Sequence, residues 1–377
     1  MLKICHLCPD EKFIDLAIDI FSHLNIKSEF FTNLKYDKYN CIKNTEVKNY
    51  RNLTDLINYI NDNEFDFVIF HSLYFLEHKY KLLKLKPKII GITWGYDIYS
   101  DKNDILKMAV DIDLFKPLTR QYANVMNNNL LYKVKYPFKW LYNKILRKQW
   151  QYDSFLNKIS YISTVLPNEF ELVSKKFQNV NPFPFDYMDP KANIRFVPNE
   201  SLNNNILVGH CLLPTNNHID ILNILEERKI KCNAYIPLAY PNGKFEQFDS
   251  EKYKNKIKEF CKTLKYVNPI FIENYIGKYE YFKIIDNCSC AIFGQLRQEA
   301  IGNINHMLFT GKKIFLDGIN YQYYSKHTDI FNIDDLNPNI FDNVLDIKSQ
   351  ERNYNFIHQK ENYQDYINNL EKFFATC

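Results

Sequence analysis

Short apolar runs, each followed by a stretch with helical spacing, recur from the start of this chain to about residue 316, and they fall into two blocks. LKICHLC (2–8) leads into DEKFIDLAIDIFSHL, where Phe13, Leu16, Ala17, Ile20 and Leu24 repeat at helical spacing and Asp10 is placed to cap the helix. DFVIFH (66–71) and KIIGITW (88–94) are compact apolar runs of the kind parallel strands show when both faces are covered. ISYIST (159–164) precedes a helix predicted from Pro167 through NEFELVSKKF. In the second block, NILVG (205–209) leads into NNHIDILNILEERK, and CNAYIPL leads by way of AYPNG into a helix at about 249–263. PIFIENY is followed by KYEYFKIIDNC, SCAIFGQ by a helix at about 302–311, and KKIFLD closes the series. Strand–helix alternation in two blocks predicts an α/β chain of two Rossmann-like, doubly wound domains facing across a cleft. A length of 377 residues suits two such domains. The aperiodic stretch DYMDPKANIRFVPNESLNNN (186–205), with its two prolines, marks the boundary. The predicted division is a domain over 1–190, a linker over 191–204, a second domain over 205–345, and a helical tail over 346–377.

Composition excludes some classes. An apolar fraction of 46% supports real cores and rules out wholesale disorder. A net charge of +4 is too mild to imply a nucleic-acid partner. No apolar run has the length of a membrane span, and MLKICHLCPDEKF lacks the apolar centre of a signal peptide, so a cytoplasmic protein is expected, free or on a membrane surface. The nine cysteines are an odd number and scattered, which suits reduced thiols. Cys5 and Cys8 have C-x-x-C spacing, but no second pair lies at zinc-ribbon distance and both sit in the first predicted strand.

Ligands in such folds bind outside the carboxyl ends of the strands. GHCLLPTNNH (209–218) stands at one of these ends and places Gly209, His210, Asn216, Asn217 and His218 ahead of a helix that Thr215 or Asn216 can cap. Free N–H groups at a helix start favour an anion, and a glycine lets the backbone approach it; a plain strand-to-helix turn is the alternative. As a zinc site the segment is poor, because His210 and His218 are eight apart and no carboxylate is near in the chain. FGQLRQEAIGNINHMLFTGKK (293–313) offers Arg297, Gln298 and Glu299 before a helix opening at Gly302 and Asn303. Glu299 can accept from sugar hydroxyls and the helix start can hold a phosphate, unless the loop is merely solvated.

ITWGYDIYS (92–100) offers Trp94 and Tyr96 for stacking on a sugar, and Asp97 as base or hydroxyl acceptor. A helix cap and a core tryptophan are the alternatives there. LYKVKYPFKWLYNKILRKQW (131–150) carries Lys133, Lys135, Lys139, Lys144, Arg147 and Lys148 with no acidic residue. Val134, Phe138, Leu141 and Ile145 form one helical stripe, with Trp140 and Trp150 at its edges. Such a stretch suits anionic lipid, so Lys135, Lys139, Trp140, Lys144, Arg147 and Lys148 are the expected membrane contacts.

Taken together, ILVG…NNH (206–218), IPLAYPNG (236–243), QEAIGN (298–303) and GKKIFL (311–316) resemble the second domain of the 4-acetamido-4,6-dideoxygalactose (Fuc4NAc) transferases of enterobacterial common antigen assembly. ITWGYDIYS is similar to that family's Trp-Gly-x-Asp-x-Tyr stretch, and FPFDYMDP (183–190) to its segment before the linker. The similarity keeps the same order over most of the chain. It implies a GT-B glycosyltransferase that needs no metal or other cofactor. The donor would be a dTDP-activated deoxy-amino sugar held mainly by the second domain, and the acceptor a saccharide on undecaprenyl diphosphate at the inner face of the cytoplasmic membrane. By position, Gly209, Asn216, Asn217, His218, Tyr240, Gln298, Ile301 and Gly302 match the family's donor-side motifs. The chain departs from them in having Gly-His-Cys-Leu-Leu where the family has Gly-Asn-Ser-Gly-Asp, and Glu299-Ala300 where it has Gln-Gly.

The resulting expectation is a glycosyltransferase acting on a lipid-linked or lipopolysaccharide-type glycan. The leaving diphosphate would be stabilised by helix starts near 216 and 302 and by His210, Arg297 or Asn303 in place of a cation. The resemblance implies retention at the anomeric carbon, with Asp97 and His71 orienting the acceptor; under inversion Asp97 would be the general base. A sugar-nucleotide epimerase of the same fold and a non-catalytic membrane-surface scaffold are the alternatives.

Overall fold

The computed structural model describes residues 1–11, 13–33, 39, 41–73, 79–99, 112–123, 154–175, 177, 179–188, 196–200, 202–240, 249–360 and 362–377. The basic aromatic stretch 131–150, with all its expected lipid contacts, lies outside these residues. The chain divides into two compact units, one of Met1–Lys107, Val134–Ala192 and Glu361–Cys377, the other of Met108–Lys133 and Asn193–Lys360.

In chain order the elements begin with β1 (Lys3–Cys8), α1 (Ile14–Ser22), β2 (Lys27–Thr32), β3 (Lys48–Asn49), α2 (Leu53–Asp62), β4 (Phe67–His71), α3 (Lys79–Leu82), β5 (Lys88–Ile92) and α4 (Gly95–Tyr99). They continue with α5 (Pro117–Tyr122), β6 (Ile159–Ser163), α6 (Phe170–Ser174), β7 (Asn181–Pro182), β8 (Asn205–Val208), α7 (His218–Glu227), β9 (Cys232–Pro237), α8 (Ser250–Cys261), β10 (Val267–Ile272) and α9 (Lys278–Asp286). The last are β11 (Cys290–Phe293), α10 (Ile301–Phe309), β12 (Lys313–Leu316), α11 (Gly318–Tyr324), β13 (Phe331–Asn332), α12 (Ile347–Lys360) and α13 (Tyr363–Thr376).

The first sheet runs β3-β2-β1-β4-β5-β6-β7 and the second β10-β9-β8-β11-β12-β13. All the pairings are parallel. Each sheet therefore follows the doubly wound order, with the chain reversing direction across the sheet between β1 and β4 in one unit and between β8 and β11 in the other. Reversal points of this kind are where doubly wound folds keep their ligands. The apolar runs in the sequence become strands buried on both sides; every residue of β4 and of β11 is buried. One face of the first sheet packs Val68, Phe70 and Ile89 with Leu56, Ile60 and Phe155. The other packs Ile4, Ile69 and Ile90 with Ala17 and Phe21 of α1 and Ile367, Leu370 and Phe374 of α13.

Several local expectations need correction. Asp10 does not cap α1: its carboxylate accepts from the backbone N–H groups of Cys41 and Ile42, both at 3.0 Å, and ties down that loop. The helix after Pro167 is a 3-10 turn followed by the short α6, which stops at Ser174 rather than reaching Phe177. The helix expected at about 249–263 does form, as α8, capped by Asp249, which accepts from Lys252 N–H at 3.2 Å. The residues of the predicted tail go to different places, since α12 packs on α10 in the second unit and α13 on the first sheet.

Candidate active site

At the reversal point of the second sheet, the loop leaving β8 meets the loop leaving β11. Gly209 starts the first loop with φ +70°, and a Cβ there would lie 2.9 Å from both Asn216 Oδ1 and His218 Nε2, so only glycine fits. Asn216 is the centre of the junction. Its Oδ1 accepts from the His210 backbone N–H at 2.9 Å and from Gln295 Nε2 at 2.7 Å. Its Nδ2 donates to Leu213 C=O at 3.2 Å and Glu299 Oε2 at 3.3 Å, with Cys211 Sγ at 3.4 Å. Glu299 is buried, accepts from Thr215 Oγ1 at 2.5 Å, and forms an ion pair with the equally buried Arg297. A buried pair of this kind is held by the attraction between its charges and by the hydrogen bonds around it, and either partner alone would be a costly charge.

His210, Cys211 and Glu299 bring potential metal-ligand atoms within 4.8 Å of one another. Sequence spacing missed this, because Glu299 arrives from a different strand. The Asn216 amide lies between the three groups, and Arg297 already neutralises the carboxylate. Burial pushes the Cys211 thiol up to about 12, with the Glu299 charge adding to the rise. The junction is built as a hydrogen-bonded network around an amide.

The two helix starts near this junction differ. Thr215 and Asn216 sit in a 3-10 turn (Pro214–Asn216), and the cap of α7 is Asn217 in the left-handed conformation, φ 54°. Residues 214–222 are all buried. A segment from the other half of the sequence covers them: Asn217 Oδ1 accepts from Lys116 N–H at 2.8 Å, and Asn217 Nδ2 reaches Gly294 C=O at 2.8 Å. The Asp220 carboxylate accepts from Leu118 N–H at 3.0 Å and Thr119 N–H at 2.7 Å, capping α5. The expected phosphate cradle near 216 is therefore enclosed, and Asn217 holds backbone on both sides. His218 is also enclosed, with Nδ1 3.3 Å from Tyr253 Oη, and burial pushes its pKa down to about 3.

The start of α10 is open. Its cap is Ala300, in the left-handed conformation at φ 63°, and no side chain caps the helix. Gly302 is exposed, and a Cβ there would meet nothing within 4 Å. Asn303 donates to Tyr281 Oη at 3.1 Å, while Gln298 is half-buried. Tyr240, beyond β9, is 65% exposed, and its C=O accepts from the backbone N–H of Leu212 in the loop after β8. The network and the open helix start are thus side by side, one giving rigidity and the other bare N–H groups.

In the first unit, Asp97 is buried in the first turn of α4, the helix that follows β5. Its Oδ2 accepts from Trp94 N–H at 2.6 Å and lies 3.4 Å from Ser72 Oγ at the end of β4, where Ser72 has φ 108°. Trp94 is half-buried against Phe13 and Tyr187, and the side chain of Tyr96 lies outside the described residues. His71 is fully enclosed and does not itself face a ligand. Its Nδ1 is 2.7 Å from Tyr187 Oη and its Nε2 is 3.0 Å from His6 Nδ1, with His6 Nε2 3.3 Å from Ser28 Oγ. Both ring nitrogens of His71 and of His6 thus have partners, and in each neutral ring one nitrogen donates while the other accepts. Both histidines are neutral, burial pushing His71 down to about 3 and His6 well below its ordinary value. No signal in the sequence paired residues 6, 71 and 187.

Solved structures share this architecture. HepE of Anabaena, determined with UDP and glucose, matches all of both chains at 11% identity with a TM-score of 0.57. The lipopolysaccharide outer core galactosyltransferase WaaB matches all of both at 12% and 0.60. The sucrose-phosphate synthase of Thermosynechococcus elongatus matches all of this chain and 99% of its own at 7% and 0.61. The fold is GT-B. No family model and no curated protein matches the sequence, and identities this low speak to the fold alone.

Proposed function

We propose that the chain is a glycosyltransferase that takes a sugar from a nucleotide donor, with the donor's diphosphate on the start of α10. The observation that carries this reading is the uncapped, glycine-opened N-terminus of α10 at the reversal point of the second sheet. Helix N-termini there offer unpaired N–H groups and a favourable dipole to an anion. The GT-B fold adds support, because the sequence resemblance independently implies the same class. On that resemblance the donor is a dTDP-linked deoxy-amino sugar of the Fuc4NAc type. The acceptor is a lipid-linked or lipopolysaccharide-type glycan, and transfer retains the anomeric configuration without a metal.

Gln298, Gly302 and Asn303 are the donor contacts this reading favours, with Tyr240 at the rim. Arg297, Glu299, Asn216 and Asn217 hold the loops in place. In the first unit Trp94 and Asp97 stand on the acceptor side, and His71 acts through the Tyr187 hydroxyl. The basic aromatic stretch 131–150 fits a protein lying on the inner face of the cytoplasmic membrane. Among the described residues no helix is long and apolar enough to cross a membrane.

Thermal unfolding with a panel of nucleotides tests the class. A rise with dTDP or UDP that EDTA leaves unchanged is expected. If no nucleotide shifts the transition, the donor site is wrong and a scaffold role gains. Slow hydrolysis of sugar nucleotides without acceptor then identifies the donor.

A further inference from the structure

Within the junction of the second sheet one ionisable group reaches solvent. Thr215, Asn216, Gln295, Arg297 and Glu299 are enclosed, whereas 23% of the His210 side chain is exposed. The protonation of its ring is set from inside. Asn216 is held with its Nδ2 toward Leu213 C=O and Glu299, so its oxygen faces His210 Nδ1 at 2.9 Å. A carbonyl oxygen only accepts, and Gln295 Nε2, 3.2 Å from Nδ1, donates to the closer Asn216 Oδ1 at 2.7 Å, so Nδ1 carries the hydrogen and Nε2 keeps the lone pair, 4.0 Å from Glu299 Oε2. The charged and titratable groups facing His210 among the described residues are Glu299, Arg297, Cys211 and His218. Arg297 and Glu299 offset each other, and Cys211 and His218 are neutral for the reasons given above. Burial lowers the His210 pKa, with Glu299 and Asn216 opposing it, so the free ring is neutral near pH 7. The junction therefore meets an incoming diphosphate with N–H groups and no net positive charge.

We propose that His210 takes up one proton when a nucleoside diphosphate binds at the start of α10, becoming an imidazolium whose Nε2–H faces the phosphates. The inference rests on the glycosyltransferase reading. The proton comes from solvent through the exposed edge of the ring. When the bond from the anomeric carbon to the phosphate oxygen breaks, its electron pair stays on that oxygen, which the Nε2–H stabilises. Departure of the nucleotide returns the proton to solvent. His210 thus supplies on demand the positive charge that Arg297 gives to Glu299.

Calorimetric titration of the full chain with UDP and with dTDP, at about pH 8 in two buffers of different ionisation enthalpy, reads the proton directly. Uptake approaching one proton is expected, with affinity falling up to about tenfold per pH unit between the histidine pKa of the free protein and that of the complex. His210→Gln should bind more weakly, with a heat that no longer depends on the buffer. His210→Asn serves if the glutamine variant does not fold, and the wild-type measurement stands without either. Wild-type binding with no proton uptake, or unchanged uptake in the variants, overturns the inference and leaves the transferase reading intact. Absence of binding by any nucleoside diphosphate overturns the transferase reading itself, and the inference with it.

Discussion

Acidification should unfold the first unit through His6 and His71. Both rings are fully buried, hydrogen-bonded at both nitrogens, and packed on Phe30, which stacks on His6 at 4.0 Å. A proton on either ring would be a buried charge facing a neighbouring donor. The folded pKa values lie below the unfolded value of about 6.5, with His71 at about 3. The unfolded chain therefore binds more protons than the fold, and stability falls as the pH drops below about 6.5. At about pH 5.5 each ring that stays neutral in the fold lowers stability by about 1.4 kcal/mol, against less than about 0.1 at pH 7.5. Two such rings give a loss of about 3 kcal/mol, before most unfolded-state carboxylates begin to titrate. All three tryptophans (94, 140 and 150) fall within the residue ranges of the first unit, so urea melts followed by tryptophan fluorescence report this unit. His71→Gln should be less stable at both pH values but lose only about half as much on acidification. A wild-type loss under about 0.5 kcal/mol, or an unchanged loss in the variant, would refute the account.

Three further outcomes can be checked. Glu299→Ala strands the Arg297 charge inside the junction and should cost the second unit about 3–5 kcal/mol in chemical unfolding, whereas Arg297→Met with Glu299→Leu together should cost much less. Gly302→Asp puts a carboxylate on the open start of α10, which stabilises the helix by about 0.3–1 kcal/mol while abolishing the thermal shift with dTDP or UDP; a retained shift would move the donor elsewhere. Reversing Lys139, Lys144 and Arg147 to Glu should remove sedimentation with phosphatidylserine vesicles, since each basic residue is worth about 1 kcal/mol at an anionic surface; vesicles of phosphatidylcholine alone serve as the control.

The sequence by itself determined the architecture. Short apolar runs and helical spacing are local patterns, and burying them leaves parallel strands and alternating helices as the solution, so β1, β4, β5, β8, β9 and β11 lie within a residue or two of where the pattern puts them. It also pointed to the ends of β8 and β11, because loops at strand carboxyl ends are where such folds keep their ligands. What each residue there does was decided only by tertiary structure. Glu299 reads as an exposed sugar contact until β11 pairs with β8 and Thr215, Asn216 and Arg297 close around it. Asn217 and His218 match donor motifs by position, yet α5, from about a hundred residues earlier in the chain, covers the helix start they belong to. His71 looks like a strand-end ligand until His6 and Tyr187 occupy both its nitrogens. Periodicity is written in neighbours along the chain and can be read there. Burial and hydrogen bonding depend on partners tens to hundreds of residues apart, which only the fold brings within 3 Å.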